Sequence, residues 1–319
     1  MVFPSIAEEW RRSRLTPPEG RLRVILDTDT YNEVDDQFAV VHALLSPDRI
    51  SLEAITAAPF HNNRSDGPAD GMEKSYEEII RLLERLGGSE RGRVFRGSTA
   101  YLLSREKPIE SDAAEAIVEM SKSGEGPVYV VAIGAITNVA SAILMDPGVI
   151  KRIVVVWLGG QPRHWPSALE FNLKQDVRAA QLVLDSGVPF VQIPCATVAS
   201  HLLTTIPEME AYVKSQGEVG QFLYETFAAY RKNQYARSKE IWDISATGYV
   251  IDPTWVPMTI VSSPILTDQV TWSVDEGRHS VAIAHSLRRD AIFGDLFRKI
   301  DTGLGRDTSH AFPEKAQRY

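Results

Sequence analysis

The sequence predicts an α/β fold, a single domain built on an open, mostly parallel sheet flanked by helices. Three observations point there. Short apolar runs alternate with amphipathic stretches along most of the chain. The runs are nearly continuous in apolar character, as strands buried on both faces require. The alternation itself places helices on both sides of the sheet. With 319 residues, 44% hydrophobic and 24% charged, the chain has the size and balance of an ordinary soluble domain.

The elements follow in order. Residues 1–20, MVFPSIAEEWRRSRLTPPEG, lack the long apolar core of a leader and read as an irregular arm, with residues 21–319 as the domain. Strands are expected at 24–26, 52–55, 128–133, 153–158 and 190–193, and helices at 36–45, 73–86, 113–121, 138–144 and 179–184. Residues 207–230 read as more helix. The runs 270–274 and 280–284 flank DEGR and suggest a late hairpin, and 290–300 a closing helix. The polar stretches 61–71 and 159–167 read as loops.

Charge and composition exclude some functions. A net charge of −8 speaks against a nucleic-acid groove, and no window reaches the ~20 apolar residues of a membrane helix. The lone cysteine, Cys195, cannot form an internal disulfide, which favours a reducing, cytoplasmic setting. Its apolar surroundings, FVQIPCATV, make it a small buried hydrophobe.

The chemistry concentrates in RVILDTDTYNEVDDQF, residues 23–38. Asp27 and Asp29 lie just past the first strand, and Asp35 and Asp36 open the next helix, so both pairs reach the sheet edge where open α/β folds bind ligands. The helix dipole favours a carboxylate at its N-terminus by under about 1 kcal/mol, too little to hold four together. A hard divalent cation is enough. The spacing lacks the central glycine and distal glutamate of an EF-hand loop. Asp27-Thr28-Asp29-Thr30 also fits the strand-end D-x-D of phosphotransferases, in which Asp27 would be the nucleophile, but that reading leaves Asp35 and Asp36 unexplained.

The order strand–D-x-D–loop–D-D–helix resembles the N-terminal signature of the nucleoside hydrolases, the inosine–uridine-preferring N-ribohydrolases. VVAIGAITNVASAI (130–143), WLGG (157–160) with LEFN (169–172), and IWDISATGYVIDP (241–253) resemble further segments of that family in the same order. The resemblance implies an α/β hydrolase that cleaves ribonucleosides to ribose and free base with a bound Ca²⁺, assembled as a homodimer or homotetramer. It implies Asp29, Asp36, Asp243 and the Ile133 carbonyl as calcium ligands, Asp29 also as the base toward water, and Asp35, Glu170 and Asn172 as sugar contacts, with Asp27 supporting from behind. These residue types suit the reaction, because anionic groups stabilise an oxocarbenium-like sugar.

The chain departs from the family's pattern at four places. The loop 30–34 is longer, long enough for Asn32 or Glu33 to reach the sugar or the water. Trp242 stands where many members carry the histidine that protonates the leaving base. The purine-specific branch resembles this chain there, with tryptophan stacking on the base, which makes purine ribonucleosides the expected substrates. His164 stands where the family tends to carry a sugar-binding asparagine. In APFHNNRSDG, His61, Asn62 and Asn63 compete for another sugar contact, and Arg64 suits a carboxylate or phosphate on an unusual substrate. Tyr230, Arg231, Asn233 and Tyr235 are candidates for the base side. A binding protein for an unusual riboside on the same scaffold is the non-enzymatic alternative.

Overall fold

A computed structural model describes residues 3–86 and 93–303. In chain order the elements are α1 (Glu8–Arg14), β1 (Leu22–Thr28), α2 (Asp36–Leu44), β2 (Ile50–Ala57), α3 (Pro68–Arg85), β3 (Val94–Phe95), α4 (Asp112–Ser121), β4 (Val128–Ala132), α5 (Thr137–Met145), β5 (Ile153–Leu158), α6 (Phe171–Gln175), α7 (Val177–Ser186) and β6 (Phe190–Ile193). There follow β7 (Leu203–Thr204), α8 (Ile206–Tyr212), α9 (Gly217–Ala229), β8 (Lys239–Glu240), α10 (Ile244–Ile251), β9 (Met258–Ser262), β10 (Ile265–Leu266), β11 (Trp272–Ser273), β12 (Ser280–Ala284) and α11 (Arg289–Gly303).

The main sheet has eight strands in the order β3-β2-β1-β4-β5-β6-β12-β9. All pairings are parallel except β12 with β9. Side chains alternate across it as the strand period dictates. Val24, Leu26, Tyr129, Val131, Val154 and Val156 enter the core beneath α2, α3, α10 and α11. Ile25, Val128, Val130, Ile153, Val155 and Trp157 enter the opposite core beneath α4, α5 and α7. Burial on both faces is why β1, β4, β5 and β6 read as apolar runs.

Several expectations need correction. The first twenty residues are not wholly irregular, because Glu8–Arg14 is helical. Its buried Arg11 donates to the Gly187 carbonyl at 3.0 Å, and Glu8 accepts from the Ser280 amide at 3.1 Å, so tertiary contacts hold a helix too short to stand alone. The late hairpin does not form. β11 pairs with β10, while β12 lies between β6 and β9 in the main sheet. The apolar, buried Val281 and Ala282 draw β12 inward, whereas Val274 is left exposed. The stretch 207–230 is two helices broken at 213–216. Residues 68–71 belong to α3, whose Pro68 suits the first helical turn.

The register aligns Asp27 with Thr56 on β2 and Ala132 on β4. The turns that follow these strands therefore leave the sheet together and carry Asp29, the 58–65 segment and Ile133 to one edge. Among the described residues, no helix is long and apolar enough to cross a membrane.

Candidate active site

Asp35 and Asp36 sit at the start of α2, and Asp243 occupies the N-cap position of α10. One oxygen from each lies within 4.8 Å of the other two, and all three residues are buried. Asp29, one residue past β1, completes the group and is fully buried. Thr28 Oγ1 donates to Asp36 Oδ1 at 2.6 Å. Gly134 lets β4's exit pass close by, since a Cβ there would come 3.1 Å from Asp29 Cγ.

The electrostatics are those of a cation site. Burial, and then the mutual repulsion of the carboxylates, pushes Asp29 and Asp243 well above the ordinary range. Burial raises Asp35 to about 6, with Glu33 adding to the shift, and burial with Asp35 raises Asp36 to about 8. Both Asp29 oxygens and Asp35 Oδ1 are buried with no hydrogen-bond partner among the described residues. Such orphaned acceptors cost about 1–3 kcal/mol each, and more when charged. A hard divalent cation fits this donor set, which is all carboxylate and carbonyl oxygen.

The surrounding shell holds the ligand atoms in place. Asp27 Oδ1 accepts from Thr56 Oγ1 at 2.7 Å and from Asn138 Nδ2 at 2.8 Å, and burial raises its carboxyl to about 6. Asp27 is not among the residues lining the cavity, and its bonds to Thr56 and Asn138 tie β1 to β2 and α5. Asn138 also accepts from the Ser98 amide and hydroxyl, both at 2.8 Å, tying the turn before α4 to the same point. Asn138 lies in the 130–143 motif, whose pattern alone does not reveal this hub.

A cavity of about 950 Å³ opens above the carboxylates. Asn32, Glu33, Ile133, Glu170, Asn172 and Trp242 line it, as do Asp29, Asp35, Asp36 and Asp243. Asn172 Nδ2 donates to the Ile133 and Leu158 carbonyls at 3.0 Å each. This aims the Ile133 carbonyl, whose second lone pair remains available, and leaves Asn172 only its Oδ1 for a sugar. Glu170 caps α6. It accepts from the Asn172 amide (3.0 Å) through Oε1, and from the Gly160 (2.8 Å) and Leu173 (3.1 Å) amides through Oε2. Its Oε1, with one hydrogen bond, can take another.

His164 is not brought to the site. It is exposed, packs edge-on to Trp165, and lies outside the lining. The loop is pinned by Trp272 Nε1 on the Gln161 carbonyl (2.9 Å) and by Arg163 on the Ser262 carbonyl, which turns His164 outward. Of the three competing residues, Asn62 and Asn63 line the cavity and His61 does not. Asn62 Nδ2 donates to Asn32 Oδ1 at 2.6 Å, joining the two loops. Tyr230 and Arg231 line the cavity, whereas Asn233 and Tyr235 do not. Cys195 is buried as expected and lines the floor near Glu170.

One residue behind the wall that Tyr230 and Trp242 form was not foreseen. Lys239 Nζ lies 5.8 Å from the Trp242 ring centre, 5.4 Å from that of Tyr230 and 3.2 Å from Glu33. Tyr230 Oη hydrogen-bonds the same Glu33. Lys239 is one of two charged residues in the two-residue β8, and only the packing of β8 against the 30–34 loop reveals its place.

Comparison with known proteins is consistent with this arrangement. The fold matches that of the purine-preferring ribonucleoside hydrolase from Gardnerella vaginalis with a TM-score of 0.72 at 21% identity, covering 88% of this chain and 98% of that one. A probable uridine nucleosidase 2 of Arabidopsis thaliana is 28% identical over 265 residues, 76% of this chain and 77% of that protein. The non-specific ribonucleoside hydrolase RihC of Escherichia fergusonii is 25% identical over 257 residues, 73% of this chain and 80% of that protein. The profile of the inosine-uridine preferring nucleoside hydrolases matches residues 24–294, and with them the strand-end aspartates, the Ile133 turn and the Asp243 cap: the chain belongs to this family and is an N-glycosyl hydrolase.

Proposed function

We propose that the protein hydrolyses ribonucleosides in a calcium-dependent reaction, with purine bases favoured. The observation that carries this is the meeting of four buried carboxylates, Asp29, Asp35, Asp36 and Asp243, on the floor of a cavity walled by Trp242. Asp29, Asp36, Asp243 and the Ile133 carbonyl are the residues that would hold calcium. When bound, the ion supplies an anchor for vicinal ribose hydroxyls and Lewis acidity toward water.

The protein's own groups do the rest. Asp29 takes the proton of the attacking water, whose oxygen bonds to C1′ while the C1′–N bond breaks and its electron pair leaves with the base. Asp35 accepts from a ribose hydroxyl, and its charge stabilises the oxocarbenium-like sugar. Glu170 Oε1 and Asn172 Oδ1 accept from the remaining sugar hydroxyls, with Asn32 at the rim. Trp242 stacks on the base and fills the place of an acid. The uridine, non-specific and purine-preferring names of the relatives leave the base to be decided by this wall.

The selectivity is testable. Stacking on an aromatic ring is worth about 1–3 kcal/mol, and a bicyclic purine covers more of an indole than a pyrimidine does. Trp242→Ala is expected to lower kcat/KM for inosine by about 10-fold or more and for uridine clearly less. Steady-state kinetics on both nucleosides check this. Equal losses would make Trp242 a packing residue and remove the basis for purine preference.

A further inference from the structure

The acidic cavity has a cationic rim that the reaction described above does not use. Arg64 and Arg231 both line the cavity, and neither is paired with a carboxylate among the described residues. Other arginines of the chain are paired, for example Arg23 with Glu53, Arg96 with Glu73 and Arg152 with Asp146. In a protein of net charge −8, an arginine that shares a cavity with six carboxylates yet contacts none is held away from them.

Arg64 is held by its neighbours. Its Nη1 donates to the Glu33 carbonyl at 3.0 Å, and its guanidinium sits 4.6 Å from the Tyr31 ring centre. Its own amide donates to Asn62 Oδ1 at 2.8 Å, and Lys74 Nζ donates to its carbonyl at 2.9 Å. Among the described residues Nε and Nη2 have no acceptor, so one edge of a planar donor fork is left unused. Such a fork matches a carboxylate or phosphate. Arg231, exposed, lies 5.8 Å from the Tyr230 ring centre on the same rim. Lys239 is not part of this site, because Glu33 neutralises it.

Contacts tie the rim to the wall that Trp242 and Tyr230 form, and Arg64 also reaches Asn32, whose carbonyl accepts from Nη1 at 3.5 Å. Arg64 is bound to the Glu33 backbone, the Glu33 side chain to Tyr230 and Lys239, and Lys239 lies over Trp242. Glu170 and Asn172, the sugar acceptors, are tied instead to Gly160, Leu158 and Ile133. The cavity volume, near the top of the range of about 300–1,000 Å³ usual for ligand sites, leaves room beyond a bare nucleobase.

We propose, building on the ribonucleoside hydrolase reading, that Arg64 and Arg231 form an anion subsite for a carboxylate carried on the aglycone, so that the preferred substrates are ribosides of carboxylated heterocycles. The leaving-group chemistry agrees. With tryptophan at position 242, no acid stands there to protonate the base as it takes the C1′–N electron pair. A guanidinium beside the departing heterocycle offsets that negative charge, and the water proton passes to Asp29.

The test is kinetic, on calcium-loaded protein. Uridine is compared with orotidine, adenosine with N6-succinyladenosine, and inosine with inosine 5′-monophosphate. The expected result is a kcat/KM at least about 10-fold higher for one of the carboxylated ribosides than for its parent, the effect of one charge-assisted fork. Arg64→Met should lower that ratio about 10-fold, and Arg231→Met by less, with circular dichroism showing each variant folded. A gain for inosine 5′-monophosphate alone would assign the rim to a sugar phosphate and overturn the aglycone proposal. Turnover of uridine or inosine with no gain from any carboxylate would overturn the proposal and leave the hydrolase reading standing. No turnover of any riboside would remove both.

Discussion

Asp29→Asn is expected to reduce kcat on the best ribonucleoside by at least about 10³-fold. General base assistance alone contributes about 10²–10⁴-fold. The same substitution removes one negative oxygen from the group that would hold calcium, so metal content should fall with it. The change is close to isosteric, and both Asp29 oxygens lack hydrogen-bond partners, so the fold should survive. Neutralising one of four buried carboxylates relieves repulsion from Asp36 and Asp35, and the metal-free variant should melt no lower than the metal-free parent at pH 8. Turnover, elemental analysis and a melting curve separate these effects. A variant with near-parental kcat would take Asp29 out of the chemistry.

The second large effect follows from the same crowding. Without a cation, the folded protein holds Asp27 and Asp35 at about 6 and Asp36 at about 8, all raised by burial, against about 3.9 for an unfolded aspartate. The folded state therefore binds more protons than the unfolded state across that interval, and its stability falls as pH rises. Chelator-treated protein should lose roughly 5 °C or more of melting temperature between pH 5 and pH 8. Calcium in large excess prefers the ionised site and should return about 4 kcal/mol at a thousandfold its Kd, so the fall disappears at pH 8. Turnover should vanish on chelation and return with calcium. A melting temperature that rises with pH in the chelated protein would contradict the assignment of these carboxylates as uncompensated.

Most of the fold and the floor of the site were legible in the sequence for one physical reason. Strands buried on both faces are apolar throughout, so β1, β4, β5 and β6 stand out as runs, and a carboxylate cluster at the end of such a run has few explanations. The edges were less legible. β3, β7, β8, β10 and β11 have two residues each, too few to show a period. β12 and β11 both look like hairpin arms locally, and only burial of Val281 and Ala282 against β6 and β9 decides their separate pairings. Helix α1 is maintained by Arg11 and Glu8 contacts to residues 176 and 272 positions away.

The site divides the same way. Asp29, Asp35, Asp36 and Asp243 are bound to strand ends and helix starts, so local pattern places them. Asn172 and Glu170 were read as sugar contacts, yet Asn172 also spends both amide donors on the Ile133 and Leu158 carbonyls and Glu170 caps α6. His164 was misplaced because its direction depends on Trp272, 108 residues on, through the bond to Gln161. Arg64 and Arg231 were legible as candidates, whereas Lys239 depends on how β8 meets the 30–34 loop, which no spacing in the sequence records.

The central claim, a cation-assisted ribonucleoside hydrolase built on this aspartate floor, is tested most directly by one assay. Purified protein is incubated with a panel of purine and pyrimidine ribonucleosides, released reducing sugar is measured, and metal content is read on the same sample. The account predicts free ribose together with about one calcium per chain. Protein that binds no divalent cation and releases no sugar from any riboside would contradict it.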